Sequence, residues 1–158
     1  MENASKALIM AAEVLIGILV ISLMVYLFAT FGSNSAKINK QLEDNKLAEF
    51  NSKYDKYVNK DDVTIYDVIT VTNLAKENNK YYELEAESST QGNYYISVSL
   101  NRTTKGENIS ELEKENQEDL AGIISEEDLI DGILPKYKCE VTYSQITGRV
   151  KTVKFTEK

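Results

Sequence analysis

Residues Ala7 to Phe31 read ALIMAAEVLIGILVISLMVYLFATF, and this stretch decides the fold. One charge interrupts it, Glu13, and the 18 residues from Val14 to Phe31 carry none. At 1.5 Å of rise per residue the stretch reaches roughly 37 Å as a helix, enough to cross a hydrocarbon core of about 30 Å with some tilt. A cleaved signal peptide is the competing reading, but its apolar region usually runs about 7–15 residues behind a basic start. Here the run is longer, and the start carries Lys6 against Glu2. Residues 1–31 are therefore expected to form a retained, single-pass transmembrane helix in the cell membrane.

Glu13 lies six residues inside that start, roughly 9 Å along the helix axis. A carboxylate at such a depth costs a few kcal/mol unless it is paired, protonated or reaches the interface. Three readings stay open. The side chain reaches the near headgroups, or it meets an ammonium group or helix N-terminus of another subunit, or the helix begins at Val14. Topology follows from Lys and Arg near the ends of the span. Lys6 stands on one side and Lys37, Lys40 and Lys46 on the other, which leans toward a cytoplasmic C-terminal domain.

Outward from the span, Gly32-Ser33-Asn34-Ser35 predicts a break or bend. Beyond it Ile38, Leu42, Phe50, Tyr54 and Val58 fall on one stripe, widened by Leu47 and Tyr57, which predicts an amphipathic helix over 36–57. Those five residues are the candidate contacts between helix and sheet. The next segment, TIYDVITVTNLAKENN, opens with Thr64 and Asp67 at capping-box spacing. Ile65, Val68, Ile69 and Ala75 share a helical face, and Asn78-Asn79 is a plausible stop. A helix is favoured, with a strand as the alternative because of the β-branched content.

Four segments then alternate with period two: Tyr82-Leu84-Ala86, Tyr94-Ile96-Val98-Leu100, Tyr137-Cys139-Val141-Tyr143 and Val153-Phe155. Val150 is out of phase with the last of them, which predicts a bulge. Turn residues 88–93 and 144–148 would join the four into two hairpins. One polar face per strand means an antiparallel sheet over 80–156, packed on one side by the helix from residue 36 onward. Between the hairpins Ser110/Glu113 and Ser125/Asp128 resemble capping boxes, with Gly132 and Pro135 suited to helix exit. Residues 32–158 thus make one small domain, and the whole chain is α+β.

Composition narrows the chemistry. The chain has no histidine and no tryptophan, one cysteine and one proline. Without histidine the commonest general base and the commonest transition-metal ligand are missing, and serine has no imidazole to activate it. No Gly-rich phosphate loop or Cys/His metal set is present, and no acidic run has EF-hand spacing. Cys139 falls on the apolar side of a strand, as a buried inert thiol would. These features point away from an enzyme and predict no cofactor and no metal. The net charge of −7 disfavours nucleic acid as a partner. It is also uneven: residues 107–131 carry ten acids against one base, and residues 132–158 six bases against two acids. Two solvated faces of opposite sign explain this, and so does self-association.

An apolar N-terminal helix with a single Glu, continuing into an amphipathic helix and followed by an antiparallel sheet, resembles the type IV pilins and pseudopilins. The resemblance implies a helix that crosses the membrane before assembly and forms a filament core afterward. It implies that Glu13 complements the N-terminal amine of a neighbouring subunit. It also implies copies of the chain or related subunits as partners, and an extracellular soluble domain. The expected function is then a membrane-anchored structural subunit of a pilus-like filament or of a secretion or conjugation apparatus. The alternative is a monomeric membrane-tethered interaction or regulatory module.

Overall fold

The computed structural model describes residues 2–84, 93–103, 106–123 and 135–158, the side chains of 117, 118 and 121 excepted. The expected Ser125/Asp128 capping box, Gly132, the strand residues after Leu84 and most of the turn before Asn93 lie outside the described residues. Contacts divide the chain into two compact units, Met1–Lys46 and Leu47–Lys158.

The first unit is helix. Helix α1 spans Glu2–Asp55 and contains the whole apolar stretch. It is long and apolar enough to cross a membrane, and none of its most apolar window is buried within the chain. The expected break at Gly32–Ser35 does not occur. Gly costs a helix only about 1 kcal/mol relative to Ala, and Ser and Asn less, and strong helix formers on both sides outweigh this. Two hydroxyls inside the apolar stretch fold back on their own helix. Ser22 donates to the Ile18 carbonyl at 2.8 Å and Thr30 to the Tyr26 carbonyl at 2.9 Å.

The second unit begins with the last turns of α1. Helix α2, Ile65–Tyr81, starts where the capping residues predict. The Asp67 carboxylate accepts from the Thr64 amide at 3.0 Å and from its hydroxyl at 3.2 Å. Ile65, Val68, Val71, Thr72 and Ala75 are buried, while Ile69 is only half-buried. The helix does not stop at Asn78-Asn79, and Tyr82-Glu83 form a turn instead of a strand. The strands are β1 (Ser97–Arg102), β2 (Glu107–Ile109), β3 (Tyr137–Tyr143) and β4 (Val150–Glu157). A 3₁₀ turn, Leu112–Lys114, and helix α3, Gln117–Gly122, lie between β2 and β3.

The sheet order is β2-β1-β4-β3. The outer pairs are antiparallel, but β1 and β4 run parallel, Ser97–Asn101 beside Thr152–Thr156. The sheet is therefore mixed, which corrects the all-antiparallel expectation. Strand β1 takes β2 on one side, and the chain crosses over to place β4 on the other. Alternation specifies which face a residue occupies and is silent on strand direction.

The bulge appears as expected. Tyr143 pairs with Val150 and Thr142 with Thr152, leaving Lys151 as the extra residue. That extra residue keeps Val150, Val153 and Phe155 all in the core. Gly148, at φ +68°, closes the β3–β4 hairpin in the left-handed region. A Cβ there would stand 3.1 Å from Leu47 Cδ2, so glycine also allows α1 its approach. The core joins Tyr54 and Tyr57 to α2 and to the inward residues of β1, β3 and β4, with Ile109 of β2 half-buried against it. Lys138, Glu140 and Lys154 mark the exposed face.

Candidate functional site

In the first unit, the residue that stands apart is Glu13. It is exposed on a helix whose neighbouring large side chains, Leu8, Ile9, Met10, Val14 and Ile16, are apolar and also exposed. With the hydroxyls of Ser22 and Thr30 satisfied by their own backbone, Glu13 is the one ionisable side chain between Ala7 and Tyr26. Among the described residues no hydrogen bond or ion pair holds it. Gly17 follows four residues later, on the same helical face, and a Cβ there would meet nothing within 4 Å.

In the second unit, the end of α1 is seated on the β3–β4 hairpin by three polar contacts and one stacked cation. Asn51 donates to the Gly148 carbonyl at 2.8 Å and accepts from the Val150 amide at 3.1 Å, so its amide side chain reads the hairpin backbone on both sides of Arg149. Tyr143 donates its hydroxyl to Asp55 at 2.6 Å. That bond, with burial second, pushes the Tyr143 phenol up to about 12. The Arg149 guanidinium lies 3.7 Å from the Phe50 ring centroid, with Tyr82 and Tyr94 at 5.3 and 5.5 Å, and donates to Asn78 Oδ1 at 2.9 Å. Tyr54, beside Phe50, is 1 % exposed, and burial raises its phenol far above the usual range.

The structure splits the five candidate helix–sheet residues. Tyr54 is in the core, and Phe50 and Val58 are half-buried against it. Ile38 and Leu42 are 62 % and 52 % exposed and belong to the first unit. The seat on the sheet thus starts near Leu47, after the exposed part of the stripe.

Two polar groups take roles the sequence does not announce. Asn79 donates to the Ile96 carbonyl at 2.8 Å and accepts from its amide at 2.9 Å, pairing with the chain just before β1 as a strand backbone would. Glu113 sits in the 3₁₀ turn, 5 % exposed, and is not the surface capping residue expected of it. Its carboxylate accepts from the Tyr95 hydroxyl at 2.8 Å and from the Val98 amide at 2.7 Å, beyond the end of β2. Lys76, Lys80 and Lys114 line a cleft of about 240 Å³ above it, and Lys76 is itself held by the Glu115 carbonyl. Cys139 is buried and burial pushes its thiol up to about 12, so it holds its proton at neutral pH. Among the described residues no three acidic or cysteine side chains converge as metal ligands would.

Compared with known proteins, the chain matches no family model, no curated protein and no solved structure.

Proposed function

We propose that this chain is a membrane-anchored structural subunit of a pilus-like filament or secretion apparatus, in which copies pack through the apolar part of α1. The observation that carries this reading is Glu13: an ionisable side chain without a partner among the described residues, in a helix whose large apolar side chains are left exposed. An unpaired carboxylate in hydrocarbon costs several kcal/mol, and a cationic group from a neighbouring helix removes most of that cost. Gly17, one turn further along the same face, lets a second backbone approach closely beside it. The N-terminal amine of a neighbouring copy supplies the cation in this reading. The second unit, which includes α1 from Leu47 onward, is the part each copy presents outside the membrane in this reading.

The test is site-directed cross-linking in membranes through a cysteine replacing Ile21, with Cys139 serving as the buried internal control. Glu13→Gln keeps size and polarity and removes the charge. Wild-type chains should give oligomers, and Glu13→Gln should lose them while monomer levels in the membrane stay normal. Equal oligomer yield in the two would overturn the role given to Glu13. Monomer alone in the wild type at high abundance would favour the membrane-tethered module.

A further inference from the structure

We infer that Asn108 is the acceptor of an N-linked glycan. The inference rests on the proposed reading of the chain as a filament subunit and adds to it the side of the membrane on which the second unit stands. Two N-x-S/T triplets fall on neighbouring strands. Asn101-Arg102-Thr103 closes β1, and Asn108-Ile109-Ser110 closes β2. An oligosaccharyl transferase reads this triplet, taking the asparagine as acceptor and the hydroxyl two residues on as its recognition group. A third triplet, Asn3-Ala4-Ser5, stands at the start of α1, ahead of the apolar stretch.

The fold ranks the two strand sites. The register places Asn101 directly opposite Asn108. Residues paired in this way share one face of the sheet, with Cβ atoms about 5 Å apart. Leu100 and Arg102, on either side of Asn101, are buried, so both asparagines stand on the face away from the core. Asn101 is half-buried on an interior strand, whereas Asn108 is exposed on the edge strand and Ser110 is exposed beside it. Among the described residues no hydrogen bond holds the side chain of Asn108 or Ser110. Other asparagines of this unit are engaged. Asn51 bonds the β3–β4 hairpin, Asn78 and Asn79 bond the chain before β1, and Asn116 accepts from the Asp119 amide. Asn108 thus offers a solvated amide nitrogen at a place where a bulky substituent displaces no packing.

Strand β2 is three residues long and lies at the end of the sheet. Such a short edge opens locally at small cost, so a transferase can take it in extended form. The donor is an oligosaccharide carried on a lipid pyrophosphate. The Asn108 amide nitrogen attacks the anomeric carbon of the first sugar. The new C–N bond replaces the C–O bond to the carrier, and the lipid pyrophosphate leaves with that electron pair. The amide gives up one N–H proton to a carboxylate of the transferase, and nothing is oxidised or reduced. The transfer occurs on the side of the membrane away from the cytoplasm, so a glycan at Asn108 places the second unit there. A glycan on Asn108 also shadows Asn101 across the strand pair, which gives one glycan per chain.

The experiment takes the full-length chain from the membranes of the cells that make it. Trypsin separates the sites, since Asn108 falls in the peptide Gly106–Lys114, Asn101 in Tyr81–Arg102 and Asn3 in Met1–Lys6. Mass spectrometry should find sugar on Gly106–Lys114 and the other two peptides bare. Asn108→Gln and Ser110→Ala should each abolish the sugar and leave the amount of chain in the membrane unchanged. The second substitution keeps the acceptor amide and removes only the recognition group. A bare Gly106–Lys114 peptide in the wild type overturns the inference, and so does sugar there that survives Ser110→Ala. Protease applied from outside the plasma membrane separates the failures. A bare Asn108 on a second unit that the protease removes overturns the glycan and leaves the filament reading standing. A bare Asn108 on a protected second unit, or sugar at Asn3, overturns both. Sugar at Asn108 in a chain whose Ile21→Cys variant gives no helix cross-links supports the glycan and overturns the assembly.

Discussion

Arg149 shows how much a single residue contributes to the seat of α1. Its guanidinium is stacked on Phe50, flanked by Tyr82 and Tyr94, and hydrogen-bonded to Asn78. A half-desolvated cation–π contact is worth about 0.5–2 kcal/mol and a charged hydrogen bond about 1.5–3. Arg149→Ala should therefore lower the unfolding free energy by about 2–4 kcal/mol in denaturant titration. Arg149→Lys should recover less than half of that, because an ammonium group has no planar face to stack. Cys139 and Tyr143 make a second prediction, in pH. Both hold their protons more tightly in the folded chain, Cys139 raised from 9.0 and Tyr143 from 10.0, each to about 12. Their contribution is fully present below those starting values and is lost as pH climbs toward 12, so stability should fall between pH 9 and 12. At pH 8 a thiol-specific disulfide reagent should leave Cys139 untouched in the native chain and react at once in guanidinium.

At the scale of elements, α1 does two different jobs along its length. From Leu47 onward its large apolar side chains are buried or half-buried, and before that Ile38 and Leu42 are exposed. Tyr54→Ala should cost about 3–5 kcal/mol of second-unit stability, as truncation of a buried aromatic does. Ile38→Ala and Leu42→Ala should change it by less than about 0.5 kcal/mol. Phe50→Ala should fall between them, since its ring is only half-buried and its main partner is Arg149. Thermal melting followed by circular dichroism ranks the four variants, and a large effect of Ile38→Ala would contradict the division of the helix. The start of α2 was legible in Thr64 and Asp67 because a cap is a local device whose partners lie within one turn. Its end was not, because Asn78 and Asn79 are turned from stop signals into core groups by Tyr94 and Ile96, 16 and 17 residues away.

For the whole molecule, the boundary between Lys46 and Leu47 carries the prediction. A fragment covering 47–158 contains every core residue of the second unit, from Tyr54 to Phe155. It should be soluble and should melt in one cooperative transition with a mixed helix and strand spectrum. A coil spectrum would show that the remainder of α1 is needed for folding. The full-length chain should stay with the membrane after carbonate extraction, since its apolar window carries at most two charges and buries nothing within the chain.

Elements whose causes are local can be read from the residues alone. Apolar length made α1 a helix able to cross a membrane, the Thr64 and Asp67 spacing started α2, and alternation placed Val98, Leu100, Tyr137, Cys139, Val153 and Phe155 on the inner face. The phase slip at Val150 announced the bulge. Glu13 was visible because one charge in an apolar run is a local anomaly. Which strands pair, and in which direction, came from the folded chain, because alternation is the same for parallel and antiparallel neighbours. The folded chain also decided that Ile38 and Leu42 stay exposed, since an amphipathic stripe records that a face is apolar and not what covers it. Asn51, Asn79, Glu113 and Arg149 were decided there too. Each is a common surface residue type whose role comes from backbone or ring atoms brought to it by parts of the chain remote in sequence.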